Sequence, residues 1–217
     1  MSLPVRLFLF SWVLTACQWS WAQGAVDADE AQAQWFDQRG MTAKFRFSAL
    51  VWVADNGEVS VEGLRVYDRK AGTLVQEFRH IEGLGMRASP ERVVRIVDAN
   101  FDGAPDIALA MNSGGAGPND SSNYYLFNRS TNRFELDPLL SELTQVTFNR
   151  DKTLSSSSRG GCCAFEHARY RYINGRLTQL TSEVVRALDD DRVEITKGRR
   201  MNGRMQYTTV IEKESTR

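Results

Sequence analysis

From residue 41 onward, apolar and β-branched residues gather in short runs, often alternating with polar ones and bounded by Gly, Asn and Asp. That is strand patterning. Phe45 to Val53 and Val59 to Val66 are two such runs, joined by Ala54-Asp55-Asn56-Gly57-Glu58, whose Asn-Gly pair predicts a tight hairpin. A turn over Tyr67 to Gly72 leads to Leu74 to Phe78, and the same grammar returns over Leu126 to Phe134 as a loose internal repeat. Propeller blades read this way. Val93 to Val97 and Asp106 to Met111 predict strands on either side of a polar loop. Residues 112–123 are rich in Ser, Gly, Asn and Asp and predict a long surface loop. Asp137-Pro138 starts a brief helix through Leu143, with proline at its first position. Further strands are expected at Gln145 to Phe148, Thr153 to Ser155, Ala164 to Ile173, Arg176 to Val185, Arg192 to Lys197 and Met205 to Ile211, with Asn174-Gly175 and Asn202-Gly203 as turns. The expectation is an all-β, single-domain antiparallel meander over 41–217, propeller-like, preceded by a short N-terminal helix or tether over 23–40.

The first residues follow another rule. A short positive segment ending at Arg6 precedes the apolar stretch Leu7 to Ala16, which has signal-peptide length and is too short to span a bilayer. Export is implied, with 1–22 as the signal. Two processing sites fit: Ser20-Trp21-Ala22 suits ordinary signal peptidase, and Leu14-Thr15-Ala16-Cys17 resembles a lipobox, whose cysteine is acylated. The expected location is the periplasm, with Cys17 as a lipid anchor to the outer membrane under the second reading.

Charge narrows the partners. The chain of 217 residues has 27 basic and 27 acidic side chains, so neither nucleic acid nor an anionic membrane surface is indicated. The basic cluster from Lys197 to Arg204 reads as a solvated hairpin tip.

Residues 98–106, Asp-Ala-Asn-Phe-Asp-Gly-Ala-Pro-Asp, carry the strongest chemical signal. A calcium loop takes oxygens from alternate positions, a backbone carbonyl at the seventh and a glycine at the sixth. Asp98, Asn100, Asp102, the Ala104 carbonyl and Asp106 fill the ligand places, and Gly103 the bend. Leu109 stands where an EF-hand puts its glutamate, and the following residues suit a strand, so an EF-hand is excluded. An Asp-Gly turn with solvated carboxylates is the alternative. Ca2+ is the expected cofactor because three carboxylates on one short loop repel one another without a cation.

Besides Cys17, the cysteines are the adjacent Cys162 and Cys163. They can pair with each other, stay free or pair between chains; export favours the bridge. The two histidines, His80 and His167, stand in no catalytic frame, and no nucleophile elbow, zinc helix, P-loop or Rossmann pattern is present. The residues point to a binding protein rather than an enzyme.

Val97 to Leu109, the loop from Ser113, Tyr125-Leu126-Phe127 and Gly161-Cys162-Cys163 form an ordered series. It resembles bacterial periplasmic immunity lipoproteins that inhibit lysozyme-like peptidoglycan hydrolases delivered by type IV secretion. The resemblance covers about residues 93–180. It implies a propeller-like protein with no catalysis of its own, calcium on Asp98, Asn100, Asp102 and Asp106, and a hydrolase effector as partner. Related inhibitors plug the hydrolase cleft with Ser-Gly-x-x-Tyr; here Ser113-Gly114-Gly115-Ala116 is followed by Gly117, so that tyrosine is absent. Ser113, Asn119, Asp120, Asn123 and Tyr124 are the expected partner-binding residues. The other reading is a calcium-stabilised structural or scaffold protein of the envelope with no hydrolase target.

Overall fold

The structure, a computed structural model, describes residues 33–113, 119–189 and 191–213. The expected signal segment 1–22, Cys17 and most of the expected helix or tether lie outside them. What is described of that segment is a strand rather than a helix: β1 (Gln34–Asp37) pairs antiparallel with β2 (Phe45–Val53). Trp35 and Phe36 give it faces to cover, and Arg65 lies over the Trp35 ring at 3.8 Å.

Three antiparallel sheets follow in chain order, so the all-β expectation holds. The first runs β1-β2-β3-β4, with β3 at Val59–Asp68 and β4 at Leu74–Arg79. The second runs β5 (Val94–Val97), β6 (Asp106–Asn112), β7 (Ser121–Asn128) and β8 (Arg133–Leu136). The third has six strands: β9 (Thr147–Phe148), β10 (Leu154–Gly160), β11 (Ala164–Ile173), β12 (Arg176–Asp189), β13 (Arg192–Met201) and β14 (Arg204–Lys213). A single helix turn, α1 (Pro138–Ser141), links the last two sheets, its first amide face capped by Asp137, which accepts from Leu140 N at 3.0 Å.

The internal repeat is real at the level of the turns. Asp68 accepts from the amides of Lys70 and Ala71 between β3 and β4, and Asn128 accepts from those of Ser130 and Thr131 between β7 and β8. Gly72 and Asn132 then take matching left-handed conformations, φ 71° and 57°. The first two sheets are thus blade-like, but the described strands close into neither a propeller nor a barrel. The third sheet differs from the first two in having six strands, of up to 14 residues.

Two cores hold the sheets together. Phe45, Phe47, Leu64, Val66, Ile107, Leu109, Tyr125 and Phe134 are buried between the first two sheets, where Phe45 and Phe134 pack edge to face at 5.4 Å. The side-chain amide of Gln76 fastens the same seam, donating to Phe134 O at 2.8 Å and accepting from Phe134 N at 3.0 Å. The second core gathers Ala99, Ala108, Tyr124, Leu140 and Leu154, with Phe148, Tyr170 and Tyr172 packed against it. Strand β7 therefore serves both, Tyr125 on one face and Tyr124 on the other.

Candidate functional site

The loop between β5 and β6 is fixed by its own side-chain oxygens. Gly103 N donates to Asp98 at 3.1 Å, Asp102 N to Asn100 at 3.0 Å and Ala104 N to Asp102 at 2.6 Å. Gly103 sits at φ 79°, where a side chain would strain the backbone. Phe101 is also left-handed, φ 61°, and its ring meets Phe148 of the third sheet at 6.2 Å. Arg129, from the turn after β7, donates to Asp102 O at 3.2 Å.

Asp106 differs from the other three. It is fully buried, and its two carboxylate oxygens accept from Ala99 N and Phe127 N, both at 2.8 Å. Burial pushes its carboxyl up to about 6, the amides of Phe127 and Ala99 opposing the shift and the Asp102 charge adding to it.

The donor set, all oxygen, has the chemistry calcium prefers. Its arrangement is another matter: the carboxylates of Asp98 and Asp102 take the loop's own amides. Among the described residues, no group of three or more His, Cys, Asp or Glu side chains gathers about a common point. The repulsion that makes a cation expected from sequence is partly answered here by backbone N–H groups.

The loop after β6 begins at Ser113, and residues 114–118 lie outside the described residues. Its far end is shorter than the sequence suggests, because β7 already starts at Ser121 and pairs with β6 through Ser122 and Asn123. Asn123 thus belongs to a strand, opposite Leu109. Tyr124 departs further from expectation. It is 2% exposed, its ring packs against Phe148 at 5.9 Å, and its amide donates to Ser141 Oγ at 2.9 Å, so it cannot serve as an anchor on a partner. Tyr125 faces the core between the first two sheets, so strand alternation turns Tyr124 to the opposite face, which the third sheet and α1 cover.

Asn119 is committed as well: its side chain donates to Arg159 O and accepts from Arg159 N, both at 2.8 Å, tying the loop to β10. Ser113 and Asp120 remain exposed and rim an open cleft of about 480 Å³ whose walls include Arg87, Arg95, Gln145 and Ser157. Arg87 and Arg95 carry no motif, and their approach to this loop follows only from the sheet arrangement.

At the turn between β10 and β11, Cys162 and Cys163 are joined as a vicinal disulfide. The serines before it, which have no base at a fixed spacing, acquire one by strand pairing. Ser157 is in register with His167 and its Oγ lies 2.8 Å from Nδ1. Glu183 continues that row on β12 and takes Lys197 of β13 at 3.4 Å. No helix of the described residues is long and apolar enough to cross a membrane.

The sequence matches no family model and no curated protein. Among solved structures, the fold is similar to that of a Xanthomonas protein described as related to the type IV secretion system. The TM-score is 0.57 at 15% identity, over 81% of this chain and 92% of that one. The shared feature is the fold.

Proposed function

We propose that this chain is an exported envelope protein that inhibits a lysozyme-like peptidoglycan hydrolase, as an immunity protein does. The observation that carries the reading is the likeness of nearly the whole fold to a type IV secretion related protein, joined to a sequence that begins like an export signal. Under this reading the protein works in the periplasm, with Cys17 as its lipid anchor, and calcium is held by Asp98, Asn100, Asp102, the Ala104 carbonyl and Asp106. Calcium would supply a positive charge that fixes the loop leading into β6.

The inhibitory element is the loop beginning at Ser113, together with the cleft at its base. Glycoside hydrolases of this kind work with paired carboxylates in a groove. A loop entering that groove would bring Ser113 and Asp120 as hydrogen-bonding groups and Arg87 and Arg95 as cations able to pair with those carboxylates. Asn119, held by Arg159, fixes the loop's far end.

The test is peptidoglycan hydrolysis by lysozyme-like hydrolases delivered by type IV secretion, with and without the purified protein. Inhibition that disappears when residues 113–118 are replaced by a short neutral linker, at unchanged melting temperature, supports the reading. Equal inhibition by that variant rejects the loop. No inhibition by the wild type rejects the function and leaves the envelope scaffold.

A further inference from the structure

The edge strand β14 is exposed at nine of its ten residues. It pairs with β13 over ten consecutive positions with no register shift. Exposed edge strands are ordinarily blunted by proline, a bulge or a central charge, since their unpaired backbone groups recruit other strands. Here the seven residues from Met205 to Ile211 carry no charge and no proline. Tyr207 and Ile211 are exposed at 61% and 60%.

Which backbone groups are free follows from the hairpin. The two-residue Asn202-Gly203 turn, with φ 49° and 80°, closes on the pair Met201 and Arg204, which makes that pair hydrogen-bonded. Alternation along the ladder turns Arg204, Gln206, Thr208, Val210 and Glu212 toward β13 and leaves the N–H and C=O of Met205, Tyr207, Thr209 and Ile211 facing outward.

We propose that β14 pairs antiparallel with β14 of a second copy about a two-fold axis at Thr208, forming a dimer with one continuous sheet. In that register Met205 meets Ile211 of the second copy and Tyr207 meets Thr209, and all four carry outward hydrogen-bonding groups. Arg204 meets Glu212 at both ends, opposite charges on non-hydrogen-bonded positions where cross-strand side chains lie closest. A strand that is uncharged in its middle and charge-complementary to its own reverse fits a second copy of itself. A two-fold interface requires such self-complementarity.

The purified protein, followed by sedimentation velocity across micromolar concentrations, should show a monomer–dimer equilibrium. Glu212→Arg sets like charges against Arg204 and should raise the dimer dissociation constant at least about tenfold. Arg204→Glu combined with Glu212→Arg should restore it. Oxidised Thr208→Cys should give a covalent dimer, because its Cα atoms meet about 4.5 Å apart across the axis, within disulfide range. Gln206→Cys should not, and melting temperatures of all variants establish that each is folded. A monomer at every concentration overturns the proposal, as it would if β14 serves only a different protein's strand. A dimer insensitive to the charge swap, or one that Thr208→Cys does not lock, overturns it equally.

Discussion

Asp106 and Phe127 are joined by a hydrogen bond of 2.8 Å from the Phe127 amide to the Asp106 carboxylate, whose other oxygen holds Ala99. One side chain thus ties the 98–106 loop to the end of β7. Its folded pKa, about 6, lies above the ordinary 3.8, so protonation favours the folded state. That contribution is complete below about 3.8 and is lost as pH rises through about 6. In chelator, the melting temperature of the wild type relative to Asp106→Asn should fall as pH is raised across this window. A difference that does not change with pH would show that the carboxyl is not desolvated.

Calcium has the opposite sign at neutral pH, since a cation favours the charged carboxylates. Extracellular calcium modules bind at about 0.1 to 1 mM, so about 2 mM calcium should add roughly 0.6 to 1.8 kcal/mol, a rise of a few degrees in melting temperature. Asp102→Ala should abolish the rise. Identical wild-type melting in calcium and in chelator would remove calcium from the account.

Tyr124→Ala empties a buried site between the second and third sheets. It should cost about 3 to 5 kcal/mol and lower the melting temperature by on the order of 10 °C. An unchanged melting temperature would put Tyr124 back on the surface.

The vicinal pair makes a simple chemical statement. Intact non-reduced protein should weigh two hydrogens less than the dithiol, and Cys162 and Cys163 should resist alkylation until a reductant is added. Full alkylation without reductant would exclude the bridge.

Asn119→Ala tests the loop's anchor. It leaves the Arg159 amide without its 2.8 Å acceptor at an exposed site, so the expected loss is small, about 0.5 to 1.5 kcal/mol. Within the proposed function, hydrolase inhibition should weaken more than stability does. Unaltered inhibition would show that the loop needs no fixed end.

Local chemistry was legible along the chain. Short apolar or alternating runs located β2, β6 and β11 to within a residue or so, Asn-Gly pairs placed the turns after β2, β11 and β13, and Asp137-Pro138 announced α1. These features depend on neighbours in sequence, which is why sequence determined them. Strand ends were less legible: β10 continues through Ser158 to Gly160, and β12 and β13 run past polar residues, because ladder hydrogen bonds join backbones whatever the side chains are. Tertiary structure alone decided the division into three sheets, the burial of both faces of β7, the approach of His167 to Ser157 and the turning of the loop carboxylates onto backbone amides. Alternation says which residues share a face of a strand. Whether that face meets water or another sheet depends on residues far away in the chain, and for Tyr124 the decisive ones were Leu140, Phe148 and Leu154.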